Sequence, residues 1–187
     1  MTPARPTVSV VVPVLDDAEH LRVCLALLAA QSRPALEVVV VDNGCVDDSA
    51  VLARAAGARV VREPRRGVPA AAAAGLDAAV GELLARCDAD TRMPADWLER
   101  IVARFDADPG LDALTGPGTF HDQPGLRGRV RAALYTGAYR WGAGAAVAAT
   151  PVWGSNCALR AEAWQAVRTR VHRERGDVHD DLDLSFQ

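Results

Sequence analysis

Leu83-Leu84-Ala85-Arg86-Cys87-Asp88-Ala89-Asp90 is a short apolar run that ends on two aspartates one residue apart, and Pro94-Ala95-Asp96-Trp97-Leu98 follows with the signal of a helix start. Carboxylates at i and i+2, where a strand gives way to a loop, can converge on one hard divalent cation that also holds a diphosphate. Asp-x-Asp is equally a common turn sequence, in which the same side chains bond their own backbone. The surrounding pattern decides between the two.

Working outward, Val8-Ser9-Val10-Val11-Val12 is a nearly continuous β-branched run ending at Pro13, the pattern of a strand covered on both faces. Asp16 and Asp17 open a helix with apolar positions at Leu21, Cys24, Leu25 and Leu28. Val38 to Val41 repeats the theme and ends at Asp42-Asn43-Gly44, after which Asp47, Asp48 and Ser49 offer caps for a helix through Leu52 to Ala56. A third strand is predicted over Arg59 to Arg62, a helix over Ala70 to Val80, a fourth strand over Leu83 to Cys87 and a helix from Ala95 through Phe105. Strict alternation predicts an α/β, Rossmann-like, mostly parallel sheet with helices on both faces. Ligands of such sheets sit beyond the carboxyl ends of the strands, where Pro13 to Asp17, Asp42 to Gly44 and Asp88 to Asp90 all fall. No G-x-G-x-x-G follows the first strand, which disfavours a dinucleotide oxidoreductase.

After Leu114 the alternation breaks. Gly116, Pro117, Gly118, Pro124 and Gly125 mark loops, and Arg127 to Ala149, with Leu134, Tyr135, Tyr139 and Trp141, reads as partly helical. That helix is either a packed amphipathic element or an acceptor-binding or membrane-surface face. Gly154 to Arg160 reads as a turn entering a short strand, Glu162 to Val167 as a helix, and the chain closes on His179-Asp180-Asp181-Leu182-Asp183-Leu184-Ser185.

The chain has 187 residues, half of them hydrophobic and 24% charged, which suits one soluble domain with a full core. A net charge of −3 supplies no basic stripe, so nucleic acid is not expected as a partner. All 21 basic residues are arginine, which excludes Schiff-base chemistry and a Walker-type lysine within these residues. Cys24, Cys45, Cys87 and Cys157 lack zinc or disulfide spacing and read as small buried groups in a reducing compartment. The first residues carry no apolar stretch of the signal-peptide kind, so a cytoplasmic location is expected.

Six segments in order, Val8 to Glu19, Val39 to Ser49, Gly67 to Gly75, Asp88 to Leu98, Gly154 to Arg160 and His179 to Ser185, together resemble the family 2 glycosyltransferases of GT-A fold. The resemblance covers essentially the whole chain. It implies a single domain over 1–187, with residues 7–115 as the nucleotide-sugar-binding half and 116–187 as the acceptor-binding half. It implies inverting transfer of a sugar from a nucleotide-diphosphate sugar, foremost a UDP-sugar, to a hydroxyl of a saccharide, lipid or small-molecule acceptor, with peripheral association at the inner membrane face as an option.

By that resemblance Pro13, Val14 and Leu15 meet the nucleoside through their backbone, and Asp42 and Asn43 contact base or ribose, with Gly67 beside them. Asp88, Ala89 and Asp90 form the diphosphate site, where Asp90 and Asp88 hold Mn2+ or Mg2+. Asp181 is the general base, and Asp180 stands where the family usually has Glu. Trp153, Gly154, Ser155 and Asn156 line the donor sugar and acceptor. Two departures stand out: Ala72 and Ala73 occupy positions where the family commonly has Arg-Asn, leaving Arg65 or Arg66 to supply a cation, and the sequence stops at Gln187 where relatives continue. A non-catalytic nucleotide-sugar-binding domain is the alternative; a nucleotidyltransferase is less favoured, because Pro13 to Asp17 is acidic and lacks glycine.

Overall fold

A computed structural model describes residues 5–118, 125–147, 151–174 and 179–187. Pro124, Ala149 and the side chain of Tyr139 lie outside the described residues. Helices and strands follow in the order β1 (Val8–Val14), α1 (Ala18–Ala29), β2 (Glu37–Asp42), α2 (Ser49–Ala55), β3 (Arg59–Arg62), α3 (Val68–Ala78), β4 (Leu83–Cys87), α4 (Trp97–Ala107), β5 (Ala113–Thr115), α5 (Leu126–Val147), β6 (Asn156–Arg160), α6 (Ala161–Val167) and α7 (Asp180–Phe186).

One sheet runs β3-β2-β1-β4-β6-β5, with β3, β2, β1 and β4 parallel and β6 antiparallel to both β4 and β5. The valine runs form strands because β-branched side chains suit a pleated surface buried on both sides. Alternate residues divide between two cores: Val8, Val10, Val12 and Val14 pack with Leu21, Cys24, Leu25 and Leu28 of α1 and with Leu98, Ile101, Val102 and Phe105 of α4, while Val11, Val39 and Val41 pack with Leu76 of α3 and Trp164 of α6. Each fully buried Leu or Phe contributes roughly 1.5–3 kcal/mol of transfer free energy. Helix α3 lies against the sheet at Gly75, where a Cβ would fall 2.3 Å from Val11 Cγ1 and 2.8 Å from Val41 Cγ2.

Of the three caps expected for α2 one acts, and the edge of the sheet departs from the expected parallel pattern. The α2 cap bond comes from Asp47, whose Oδ1 accepts the Ser49 N–H at 3.0 Å, and the N-cap residue Asp48 makes no side-chain cap bond. Strand β5 is an addition at the edge, and β6 pairs antiparallel with both β4 and β5, which sets its first residue at the rim. That reversal matters for function: Cys87 pairs with Asn156, so the start of β6 lies beside the end of β4. Among the described residues no helix is long and apolar enough to cross a membrane.

Candidate functional site

The ends of β2, β1 and β4 and the start of β6 lie side by side on one edge of the sheet, three inter-strand spacings or about 14 Å from first to last. At the β2 end, Asp42 Oδ1 accepts the N–H groups of Gly44 at 3.1 Å and Cys45 at 2.8 Å, and Gly44 takes the left-handed φ of 90° that this turn needs. Burial works against the Asp42 carboxylate, but these amides and Arg62 outweigh it and hold its pKa below the ordinary value.

Asn43 is 4% exposed and its amide is committed to the backbone: Nδ2 donates to Glu63 O at 3.0 Å and Arg65 O at 2.7 Å, and Oδ1 accepts the Gly67 N–H at 2.8 Å. It therefore fastens the β3–α3 loop to the β2 end. Gly67, with φ 132°, turns that loop into α3. Next along the edge, Val14 O accepts the Asn43 N–H at 3.1 Å and the Cys45 thiol at 3.4 Å, Pro13 is half-buried, and Leu15 is exposed at the lip. Arg65 is paired with Glu63 and Glu174, and Arg66 Nη2 donates to Gly44 O at 3.2 Å, so both arginines are engaged locally.

At the β4 end, Asp88 and Thr91 close a turn, with Asp88 N–H donating to Thr91 Oγ1 at 3.0 Å and Thr91 N–H to Asp88 O at 3.1 Å. Ala89 is buried in the core and acts as the spacer, while Asp90 is exposed. Burial raises the pKa of Asp88; Arg86, whose Nη2 lies 3.8 Å from Asp88 Oδ1, and the Ser155 hydroxyl oppose that rise. A half-buried carboxylate whose charge is disfavoured, next to an exposed one, is an all-oxygen donor set suited to Mg2+ or Mn2+.

Arg86 is the residue that sequence reasoning missed. It is 4% exposed, forms an ion pair with Asp180, and its Nε is buried without a hydrogen-bond partner. It shares a small cavity with Ala72, Ala73, Trp164 and Asp180, so a guanidinium does stand beside the two alanines, delivered by β4. A charged residue inside an otherwise apolar strand was the available signal.

Gly154 makes room for this group, since a Cβ there would lie 2.9 Å from Arg86 Nη1. Its N–H is 3.5 Å from Asp181 Oδ2, and Asp181 Oδ1 accepts the Leu182 N–H at 2.9 Å. Asn156 Oδ1 accepts Trp97 Nε1–H at 2.9 Å, and Trp153 packs against Tyr135 with ring centroids 6.3 Å apart. Cys157, next to them, is buried; burial pushes its thiol up to about 12, with Asp180, Asp88 and Asp181 adding to the rise and Arg86 opposing it. Arg86 lies within ion-pair distance of both Asp88 and Asp180, which brings the end of β4 and the start of α7 to one guanidinium.

Asp16, Cys45 and Asp47 also bring ligand-type atoms within 4.8 Å of one another. Two of them close the β1 and β2 loops onto each other: Asp16 Oδ1 accepts the Val46 N–H at 2.6 Å and Asp47 Oδ2 the Ala18 N–H at 2.9 Å.

A model of the family described as glycosyl transferase family 2 matches residues 9–176. An uncharacterised glycosyltransferase of Mycobacterium tuberculosis is 42% identical over 113 residues, 60% of this chain and 49% of that protein, so the chain spans about half the length of this relative. Glucosyl-3-phosphoglycerate synthase from Mycobacterium tuberculosis, solved with Mn2+, uridine diphosphate and glucosyl-3-phosphoglycerate, superposes with a TM-score of 0.61 and 25% identity over 84% of this chain and 58% of that one. The mannosyltransferase PcManGT from Pyrobaculum calidifontis, solved with GDP-Man and Mn2+, gives a TM-score of 0.70 and 25% identity over 97% of this chain and 51% of that one. These neighbours share the GT-A architecture, and with a family match running through all six strands, this chain belongs to glycosyl transferase family 2.

Proposed function

We propose that this chain transfers a sugar, with inversion, from a nucleotide-diphosphate sugar to an acceptor hydroxyl. The observation that carries the reading is the meeting of the β4 carboxylates with the first turn of α7, through the Arg86–Asp180 ion pair and the approach of Asp181 to Gly154. Along the edge, Pro13, Val14, Leu15 and Asp42 take the nucleoside, and Asn43 and Gly67 shape its loop. Asp88 and Asp90 then hold Mn2+ or Mg2+, which supplies a counter-charge for the departing diphosphate. Two structural neighbours solved with Mn2+ and a uridine or guanosine nucleotide support that donor chemistry, and UDP is the first base to test.

Asp181 acts as general base. Its carboxylate accepts the proton of the acceptor hydroxyl while that oxygen attacks the anomeric carbon on the face opposite the diphosphate; the bond to the diphosphate breaks in the same displacement, which inverts the centre. Positioned proton transfer of this kind contributes roughly 10²–10⁴-fold. Trp153, Gly154, Ser155 and Asn156 form the floor for donor sugar and acceptor, with a neighbouring cavity of about 220 Å³ lined by Thr115, Tyr135, Thr136 and Trp153.

The location that suits this chain is the cytoplasmic side of a membrane. Leu126, Val130, Leu134 and Trp141 fall on one face of α5 and are 50–84% exposed, where a packed helix would bury them. Arg127 and Arg131 are exposed beside them, and the helix has no acidic residue, so its complement is an anionic lipid surface.

Titration calorimetry with UDP and GDP, with and without Mn2+, followed by donor hydrolysis in the parent and in Asp181→Ala, tests the assignment. Metal-dependent binding with hydrolysis lost in the variant supports catalysis. Binding without turnover in either protein supports a nucleotide-sugar-binding module, and absence of metal-dependent binding overturns the reading.

A further inference from the structure

Arg86 is the only buried arginine among the described residues, and nothing in the donor chemistry above gives it a part. It projects from β4 on the Leu84 side of the strand, into the cavity under α7. Burying a guanidinium is unfavourable unless carboxylates compensate it, and here two lie within ion-pair distance. Asp88, at the end of its own strand, lies 3.8 Å from Nη2, and Asp180, the first residue of α7, pairs with Nη1. The space is shaped to admit the group: Gly154 has no Cβ to meet it, and Ala72 and Ala73 leave the cavity open from α3.

Helix α7 needs such an anchor. It has no fully buried residue. Leu184 packs, partly buried, against the core around Leu76 and Trp164, and the polar links of the helix include the Arg86–Asp180 pair, the His172–Asp183 contact at 2.7 Å and the bond from Val152 N–H to Ser185 Oγ at 2.9 Å. The Arg86 and His172 contacts both act on the first turn, and the Arg86 contact is the one that ties it to the sheet, one residue from Asp181.

We propose that Arg86 is a positioning residue that fixes the first turn of α7 over the end of β4, and so sets where the Asp181 carboxylate stands relative to Asp88. The proposal rests on the reading of Asp181 as base for its catalytic consequence, and on geometry alone for its structural one. A fork-shaped cation is required, because one planar group reaches both carboxylates; an ammonium on a flexible stem reaches one.

Arg86→Met, Arg86→Lys, Asp180→Asn and the double variant Arg86→Met/Asp180→Asn are compared with the parent by hydrogen exchange, UDP–Mn2+ calorimetry and steady-state transfer or hydrolysis. Amides of residues 182–186 are expected to exchange about tenfold faster in Arg86→Met and Asp180→Asn, with the β1 and β2 amides unchanged. UDP–Mn2+ affinity is expected to stay within about threefold while kcat falls about 100-fold; the double variant falls no further, and Arg86→Lys recovers part of the loss. Unchanged α7 exchange in both single variants overturns the proposal, as does an additive loss in the double variant. If the parent neither binds UDP–Mn2+ nor turns over donor, the proposed function fails, and the exchange comparison still decides the role of Arg86. Should Arg86→Met not fold, Asp180→Asn breaks the same contact with the sheet arginine in place.

Discussion

Strands β3, β2, β1 and β4 with their helices, and the β6–β5 pair with α5 and α7, are held together on different terms. In the first region each central strand is buried on both faces and its loops are closed by side chains that bond backbone groups, as Asn43 and Asp42 do. In the second, β5 has no buried residue, α7 has none, and the described large apolar residues of α5 face outward. The densely buried region carries the groups assigned to the donor, and the less buried region carries those assigned to the acceptor and the proton. Segments that must admit and release ligands are drawn from the low-stability end of a fold.

The largest expected effect breaks the comparison at its stronger side. Leu84→Ala, in a strand residue 1% exposed, should destabilise the protein by about 2–5 kcal/mol in urea titration. Asn43→Ala follows: it leaves the Gly67 N–H and two carbonyls without their partner, and should cost about 1–3 kcal/mol, lowering the melting temperature by roughly 2–4 °C per kcal/mol. A loss below about 0.5 kcal/mol would mean that the donor-side loops are as loosely held as α7.

Acid sharpens the same contrast. Glu37, Asp42, Asp47, Glu63 and Glu82, all in the first region, and Asp183 in the second have pKa values held below their ordinary 4.5 for Glu and 3.8 for Asp. The folded chain binds fewer protons at these groups than the unfolded one, so their stabilisation is complete above about pH 5 and is lost as pH falls through the lowered folded values. Asp88, raised by burial, contributes with the opposite sign and is relieved by acid. Urea midpoints should be level from pH 7 to 5 and decline below about 4.5.

The smallest effect on stability belongs to α5. Leu134→Gln, at a side chain 69% exposed, should change stability by less than about 0.5 kcal/mol, and together with Trp141→Gln it should weaken co-sedimentation with anionic vesicles about tenfold. Equal binding to neutral vesicles would point to an apolar partner in place of an anionic one.

What the sequence allowed to be read follows the same division. Strands β3 and β4 have the bounds expected from Arg59 to Arg62 and Leu83 to Cys87, and the four apolar positions expected on α1 are the four it buries. Continuous valine runs and helical spacing are local signals, visible in a dozen residues. The direction of β6 was not legible, because antiparallel pairing depends on which strand edge the rest of the chain leaves open. Nor were the partners of the polar side chains. Asn43 bonds to groups 20, 22 and 24 residues away, and Arg86 pairs across 94 residues. The resemblance places Gly154 beside the donor sugar and acceptor; the structure adds that its missing Cβ allows close approach of Arg86.

Cys157 turns this arrangement into a built-in clock. Burial pushes its thiol up to about 12 and leaves the residue 3% exposed, so alkylating reagents, which need an accessible thiolate, are almost without a target while the fold is closed. Each labelling event then counts an excursion in which the β6 side, where Cys157 lines a cavity with Leu184 and Ser185 of α7, has opened and water has reached the sulfur. The mass added with time at Cys157, compared with the equally enclosed Cys24 at the far side of the sheet, measures how often the acceptor side opens while the donor side remains closed.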